Sequence, residues 1–166
     1  MADHGFTLDI SHMDELAARQ ALDFYPGAVI ASHANAAALI PGYNGNRQLT
    51  DEMIRALVDR GGIIGIIPTC SFLDYRWKRG DPRTLTLEAA AAQVDHICQL
   101  VGSVEHAGFG SDFDGGFGVD VATAEVDSIA DLQKLAPLLG AKGYNDEQIA
   151  AIFGGNWIRH LQAHLP

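Results

Sequence analysis

The stretch AVIASH, residues 28–33, is an apolar run that stops abruptly at a serine and a histidine. Ala28 to Ala31 contains no polar residue, the mark of a strand buried on both faces. The same pattern stands 21 residues earlier in FTLDISH, residues 6–12, which also closes on Ser-His. Further along, Ile63 to Ile67 (IIGII) and His106 to Gly110 (HAGFG) read as two more strands, the last running into Ser111-Asp112. Between these runs lie helical patterns. Met13 to Leu22 opens with Asp14 and Glu15, where a helix dipole favours negative charge. Thr50 is a good N-cap ahead of Asp51 and Glu52, with Met53, Ile54, Leu57 and Val58 on one face and Gly61-Gly62 as the stop. Thr86 to Val101 reads as a third helix with a threonine cap.

Strand and helix therefore alternate, which predicts an α/β fold with parallel strands and right-handed crossovers. The units suit an open sheet or part of a (β/α)8 barrel, and 166 residues are too few for a whole barrel, which typically takes about 250. Residues 1–166 are expected to form a single domain, since no low-complexity linker interrupts them. Thr69 to Arg83 and Gly115 to Asp127 read as loops, and Ile129 to Leu139 and Asn145 to Leu161 as helices, the last with Gly154-Gly155 near its middle.

The formal net charge is −10, from 11 basic and 21 acidic residues. With no basic cluster, nucleic acid and anionic membranes are poor partners. No apolar run is long enough to cross a bilayer, and MADHGF does not read as a signal peptide. Cys70 and Cys98 make no disulfide framework, so a cytoplasmic setting is expected.

Strand ends carry the chemistry in parallel α/β folds, because the ligand crevice lies at the carboxyl edge of the sheet. Here those ends carry His12, His33 and Asp112, residue types that zinc accepts. Each alone could be a loop or capping residue; together on one rim they suggest a metal that acidifies a bound water. Arg47, in the loop before Thr50, could pair with a substrate carboxylate or be an exposed loop charge. Asp112 could be a ligand, a general base or part of an Asp-Gly turn. His4, His96, His160 and His164 read as surface or interhelical residues. The chain has neither a GK[ST] phosphate loop nor a GxSxG elbow.

LDISHMDE, PGAVIASHANAAAL, NRQLTDEMIRALVDRGGIIGI, VDHICQLVG, HAGFGSDFDG and FGGNWIRHL, taken in order, resemble the membrane dipeptidase (renal dipeptidase) family of zinc metallopeptidases. The resemblance implies a (β/α)8 barrel with two zinc ions that cleaves dipeptides. It implies His12 and His33 as ligands of one zinc, Arg47 as the residue that binds the substrate's terminal carboxylate, and Asp112 as a substrate-facing acid-base residue. It covers only the C-terminal half of the family pattern. The HxD pair and the bridging glutamate of the N-terminal half have no counterpart, and the Arg47 loop is lengthened by IPGYNGN. The expected object is thus about four βα units of a barrel, holding at most one Zn2+ weakly, with a dipeptide as substrate. A half-barrel exposes sheet edges, so a homodimer or a complementary N-terminal half is the expected partner. The alternative is a half-barrel that is not catalytic by itself.

Overall fold

The computed structural model describes residues 1–116 and 118–165. Four strands, β1 (Leu8–Asp9), β2 (Val29–Ile30), β3 (Ile64–Ile66) and β4 (Ala107–Phe109), fall within the predicted runs. β1 pairs with β2 and β3 with β4, both parallel, in the registers Leu8 with Val29 and Ile64 with Ala107. A parallel bridge between Ala31 and Ile64 joins the two pairs, with the Ala31 N–H donating to Ile63 O and the Gly65 N–H to Ala31 O. The spatial order of the strands is therefore their order in sequence. Right-handed crossovers that always step the same way lay their helices on one face. α1 (Glu15–Phe24), α2 (Asp51–Asp59) and α4 (Leu87–Val101) do pack in that succession, α1 on α2 and α2 on α4. This is how a barrel wall is wound, without the reversal of strand order found in a doubly wound sheet.

Local chemistry explains where the helices begin and end. The Asp14 side chain accepts from the Ala17 N–H, and the Thr50 hydroxyl oxygen from the Met53 N–H, each satisfying an orphan donor of the first turn. α4 ends at Gly102, whose φ of 69° is the left-handed conformation that glycine adopts most easily. Among the described residues the larger of two apolar clusters runs from Ile10 to Ile152 and includes Val29, Ala31, Ile64 and Ile66 from the strands with Leu57, Val94 and Ile97 from the helices.

Several expectations are corrected. Ladder pairing is confined to two or three residues per strand. The Thr86 side chain makes no cap; the Leu87 N–H is taken by the carboxylate of Glu125 instead. The Thr69–Arg83 loop contains a short helix, α3 (Cys70–Leu73), and buries Trp77 against Cys70 and Val121. Ile129–Lys134 is a 3-10 turn, and only Leu135–Ala141 (α5) is α-helical. The long last helix is three pieces, α6 (Asp146–Ala150), a π turn (Ala151–Gly155) and α7 (Asn156–His164), broken where Gly154 leaves helical geometry. The expected Gly115–Asp127 loop holds a 3-10 turn at Val119–Val121, and its Phe117 lies outside the described residues. Among the described residues no helix is long and apolar enough to cross a membrane.

Candidate metal and substrate site

His12, His33 and Asp112 each stand three residues past the end of a strand, β1, β2 and β4 respectively. Equal spacing from parallel strands puts all three on the carboxyl edge of the sheet. The equivalent position after β3 is Thr69, which is buried. The loop after β2 crosses very close to its neighbours. A Cβ on Gly65 would lie 1.9 Å from the Ser32 carbonyl oxygen, and one on Gly110 would lie 1.8 Å from it. Only glycine on both β3 and the end of β4 lets that loop settle where it carries His33.

The two imidazoles meet edge to face, with ring centroids 4.7 Å apart and Nε2 to Nε2 2.7 Å. Behind them lies a hydrogen-bonded network centred on Asp9. Its Oδ1 accepts from the Ser11 N–H at 3.0 Å, the Ser11 hydroxyl at 2.6 Å and the Ser32 N–H at 3.1 Å. Its Oδ2 accepts from the Ser32 hydroxyl. Ser32 Oγ in turn lies 2.7 Å from His33 Nδ1, and the His33 N–H donates to Ser11 Oγ at 3.0 Å. Burial alone would raise the Asp9 pKa. The hydrogen bonds from Ser11 and Ser32 outweigh it and hold the carboxyl below its ordinary range. His33 is pushed below the usual histidine value, chiefly by burial, with the negative charge of Asp112 opposing the shift. Near neutral pH it is therefore the uncharged imidazole, the form that binds metals.

Arg47 is half-buried rather than a free loop charge. Its Nη2 donates to the His33 carbonyl oxygen at 3.2 Å, and its guanidinium lies 4.7 Å over the Phe72 ring. Nη1 is buried and has no hydrogen-bond partner among the described residues. Burial lowers the Arg47 pKa, and Asp112 again opposes the shift. A buried guanidinium nitrogen without an acceptor is costly unless a ligand supplies one. The lengthened loop before Arg47 contributes its own clamp: the Tyr43 hydroxyl oxygen accepts from the backbone N–H of both Arg47 and Gln48, each at 2.7 Å. Asp112 has a φ of 59°, and Gly115 approaches it so closely that a Cβ there would lie 2.3 Å from its Oδ1.

Two imidazoles with Nε2 atoms 2.7 Å apart need to spread only slightly to share a zinc ion, since two zinc–nitrogen bonds of about 2.0–2.1 Å at a tetrahedral angle set the nitrogens about 3.3 Å apart. They are an incomplete set. Among the described residues no group of three or more His, Cys, Asp or Glu is placed to hold a metal ion. The charge of Asp112 acts on His33 and Arg47.

The other histidines are placed elsewhere. His96 pairs with Asp51 at 2.8 Å between α4 and α2. Of the surface and interhelical alternatives for His160, burial excludes the first; its Nε2 is unpartnered among the described residues, and its ring lies 4.5 Å from that of His164. Cys70 and Cys98 are buried free thiols. Asp9, Tyr43 and Phe72 are not marked out by the sequence, and Ser11 and Ser32, which precede the two histidines outside any GxSxG elbow, prove to support His33 by hydrogen bonds. A signal for the serines existed in the repeated Ser-His pair at two strand ends.

Comparison with known proteins bears on this arrangement. A family model described as membrane dipeptidase (peptidase family M19) matches residues 1–164. A Klebsiella pneumoniae protein described as an uncharacterized protein in the pqqA 5' region is 32% identical over 93% of this chain and 54% of its own length. The dipeptidase tcpJ of Claviceps purpurea is 33% identical over 95% of this chain and 34% of its own length. A metallo peptidase from Rhodobacter sphaeroides, solved with a phosphinate mimic of the dipeptide L-Ala-D-Ala, superposes with a TM-score of 0.84 at 25% identity. That match covers 98% of this chain and 44% of the other. The chain thus spans from about a third to about half of these relatives' length. With the strand order, the helix layer and nearly the whole sequence in agreement, the chain belongs to the membrane dipeptidase family of metallopeptidases.

Proposed function

We propose that this chain is the C-terminal half of a zinc-dependent dipeptidase barrel, folded as a single domain over residues 1–166. The observation that carries this reading is the His12–His33 pair, with Nε2 atoms 2.7 Å apart, beside an arginine whose buried Nη1 lacks an acceptor. His12 and His33 would hold one zinc ion through Nε2. Bound zinc would supply a water acidified toward neutral pH and polarise a carbonyl. Arg47 takes the substrate's terminal carboxylate on its free edge, while Phe72 and the Tyr43 clamp keep the guanidinium from swinging away. Asp112, beside both groups, accepts a proton from the attacking water and passes it to the leaving amine. Relatives named as dipeptidases, and the dipeptide mimic bound to the Rhodobacter sphaeroides enzyme, support a dipeptide as substrate. The two free buried cysteines support a reducing compartment.

Two imidazoles are fewer than the three protein ligands usual at a catalytic zinc. The chain alone therefore binds one zinc weakly and turns over little dipeptide, and activity requires a complementary N-terminal half. The test is hydrolysis of L-Ala-L-Ala and L-Ala-D-Ala by the chain, alone and mixed with the N-terminal half of a family relative. The reading predicts turnover only in the mixture, lost on chelation and in His33→Ala. A folded mixture that binds zinc but cleaves neither dipeptide would favour a non-catalytic half-barrel.

A further inference from the structure

The protons of the network behind His33 can be assigned one by one. Asp9 carries no proton near neutral pH, so both of its oxygens only accept. The Ser11 hydroxyl spends its single proton on Asp9 Oδ1, and the Ser32 hydroxyl spends its own on Asp9 Oδ2. Ser32 Oγ has no second proton to give. Its 2.7 Å contact with His33 Nδ1 must therefore run the other way, from a protonated Nδ1 to the serine oxygen. A neutral His33 then has its lone pair on Nε2, the atom that faces His12 Nε2. No corresponding partner fixes His12 among the described residues, where its one ring hydrogen bond is the contact with His33.

We propose that Asp9, acting through the Ser32 hydroxyl, is a positioning residue that sets His33 as the Nδ1–H tautomer and aims its Nε2 lone pair at the metal position. The tautomer follows from the hydrogen bonds alone; its use for metal binding rests on the dipeptidase reading above. His33 is thus a ligand ready before the metal arrives, whereas His12, with no partner on Nδ1 among the described residues, is not set in advance.

Asp9→Asn separates this role from simple packing. Three donors converge on Oδ1, and two of them are backbone N–H groups that cannot reverse. The amide oxygen of an asparagine therefore stays there, and its NH2 takes the place of Oδ2 and donates to Ser32 Oγ. The serine hydroxyl is released to donate to His33 Nδ1, and the ring is driven to the opposite tautomer, with Nε2 blocked by a proton. Ser32→Ala instead removes the link and leaves the tautomer unset.

The experiment is nitrogen-15 NMR of the histidine side chains in the metal-free 166-residue chain at pH 8, followed by titration with zinc. Wild-type His33 is expected to show a protonated Nδ1 and a bare Nε2. Asp9→Asn is expected to invert that pattern, Ser32→Ala to mix the two forms, and both to weaken zinc binding by about 10- to 100-fold. A bare Nδ1 in wild-type His33 overturns the proposal, and this readout needs no variant to fold. An unchanged tautomer in a folded Asp9→Asn chain overturns it as well. If the tautomers behave as stated but saturating zinc leaves His12 and His33 unmoved, the positioning for metal and the dipeptidase reading fail, while the proton assignment stands.

Discussion

Replacing Gly110 with alanine tests whether close packing of the strand ends sets the position of His33. The new methyl carbon would lie 1.8 Å from the Ser32 carbonyl oxygen and 3.0 Å from the His33 Cα. Folded proteins essentially never hold a Cβ within 3.0 Å of such an atom, so the β2 loop and the end of β4 must separate by more than an ångström. The carbonyl cannot retreat toward β3, because Gly65 already approaches the same oxygen just as tightly. The loop must lift off the sheet edge, carrying Ser32 and His33 with it. Overpacking of this kind costs about 1–3 kcal/mol. For a chain of this size each kcal/mol lowers the melting temperature by about 2–4 °C, giving a fall of about 2–12 °C. Zinc affinity is expected to fall together with stability, since the His12–His33 pair is pulled apart. The assay is thermal unfolding by circular dichroism with a zinc titration of the same samples. Gly140→Ala is the control: it lies in α5 with nothing within 4 Å of a new methyl group. It should be neutral or stabilising by up to about 1 kcal/mol. A Gly110→Ala chain that melts within about 1 °C of wild type and binds zinc equally well would refute the packing argument.

Other consequences follow from the same geometry. Arg47→Lys loses the planar fork facing the proposed carboxylate, and in the reconstituted barrel KM for a dipeptide should rise about 10- to 100-fold while free dipeptide amides are affected little. Asn35→Ala removes a buried amide that donates to Ile67 O and Phe72 O and accepts from the Ile67 N–H, so urea unfolding should show a loss of about 3 kcal/mol or more. Burial pushes the Cys98 thiol up to about 11 from 9.0. The folded chain thus holds this proton more tightly than the unfolded one. That contribution is intact below pH 9 and is lost as pH rises toward 11, at a slope of up to about 1.4 kcal/mol per pH unit that Cys98→Ala should reduce. Native Cys98 should also resist alkylation at pH 8, and rapid labelling would contradict its burial.

The fold was largely legible because buried parallel strands are nearly pure apolar runs and helix starts carry acidic first turns. AVIASH and IIGII needed no information from outside their own windows. The strand-end rule likewise located His12, His33 and Asp112, since three residues past a parallel strand is a fixed place on the rim. What was not legible depended on contacts between distant residues. Thr86 looks like a cap in sequence, but Glu125, far along the chain, occupies the α4 start. The break in the last helix was visible only as two glycines, whose consequence depends on how the flanking segments pack. Asp9 reads as an ordinary polar residue in a strand until β2 brings Ser32 against it. Arg47 was ambiguous for the same reason, because its burial is decided by Phe72 and His33, from other parts of the chain.

The central claim is that His12 and His33 together hold one zinc ion. Adding one equivalent of zinc to the nitrogen-15-labelled chain at pH 8 tests it directly. The account predicts that the Nε2 signals of these two residues move together, that His4, His96, His106, His160 and His164 stay in place, and that either His12→Ala or His33→Ala abolishes the response. Zinc that shifts only other histidines, or that shifts His33 unchanged in the His12→Ala chain, would contradict it.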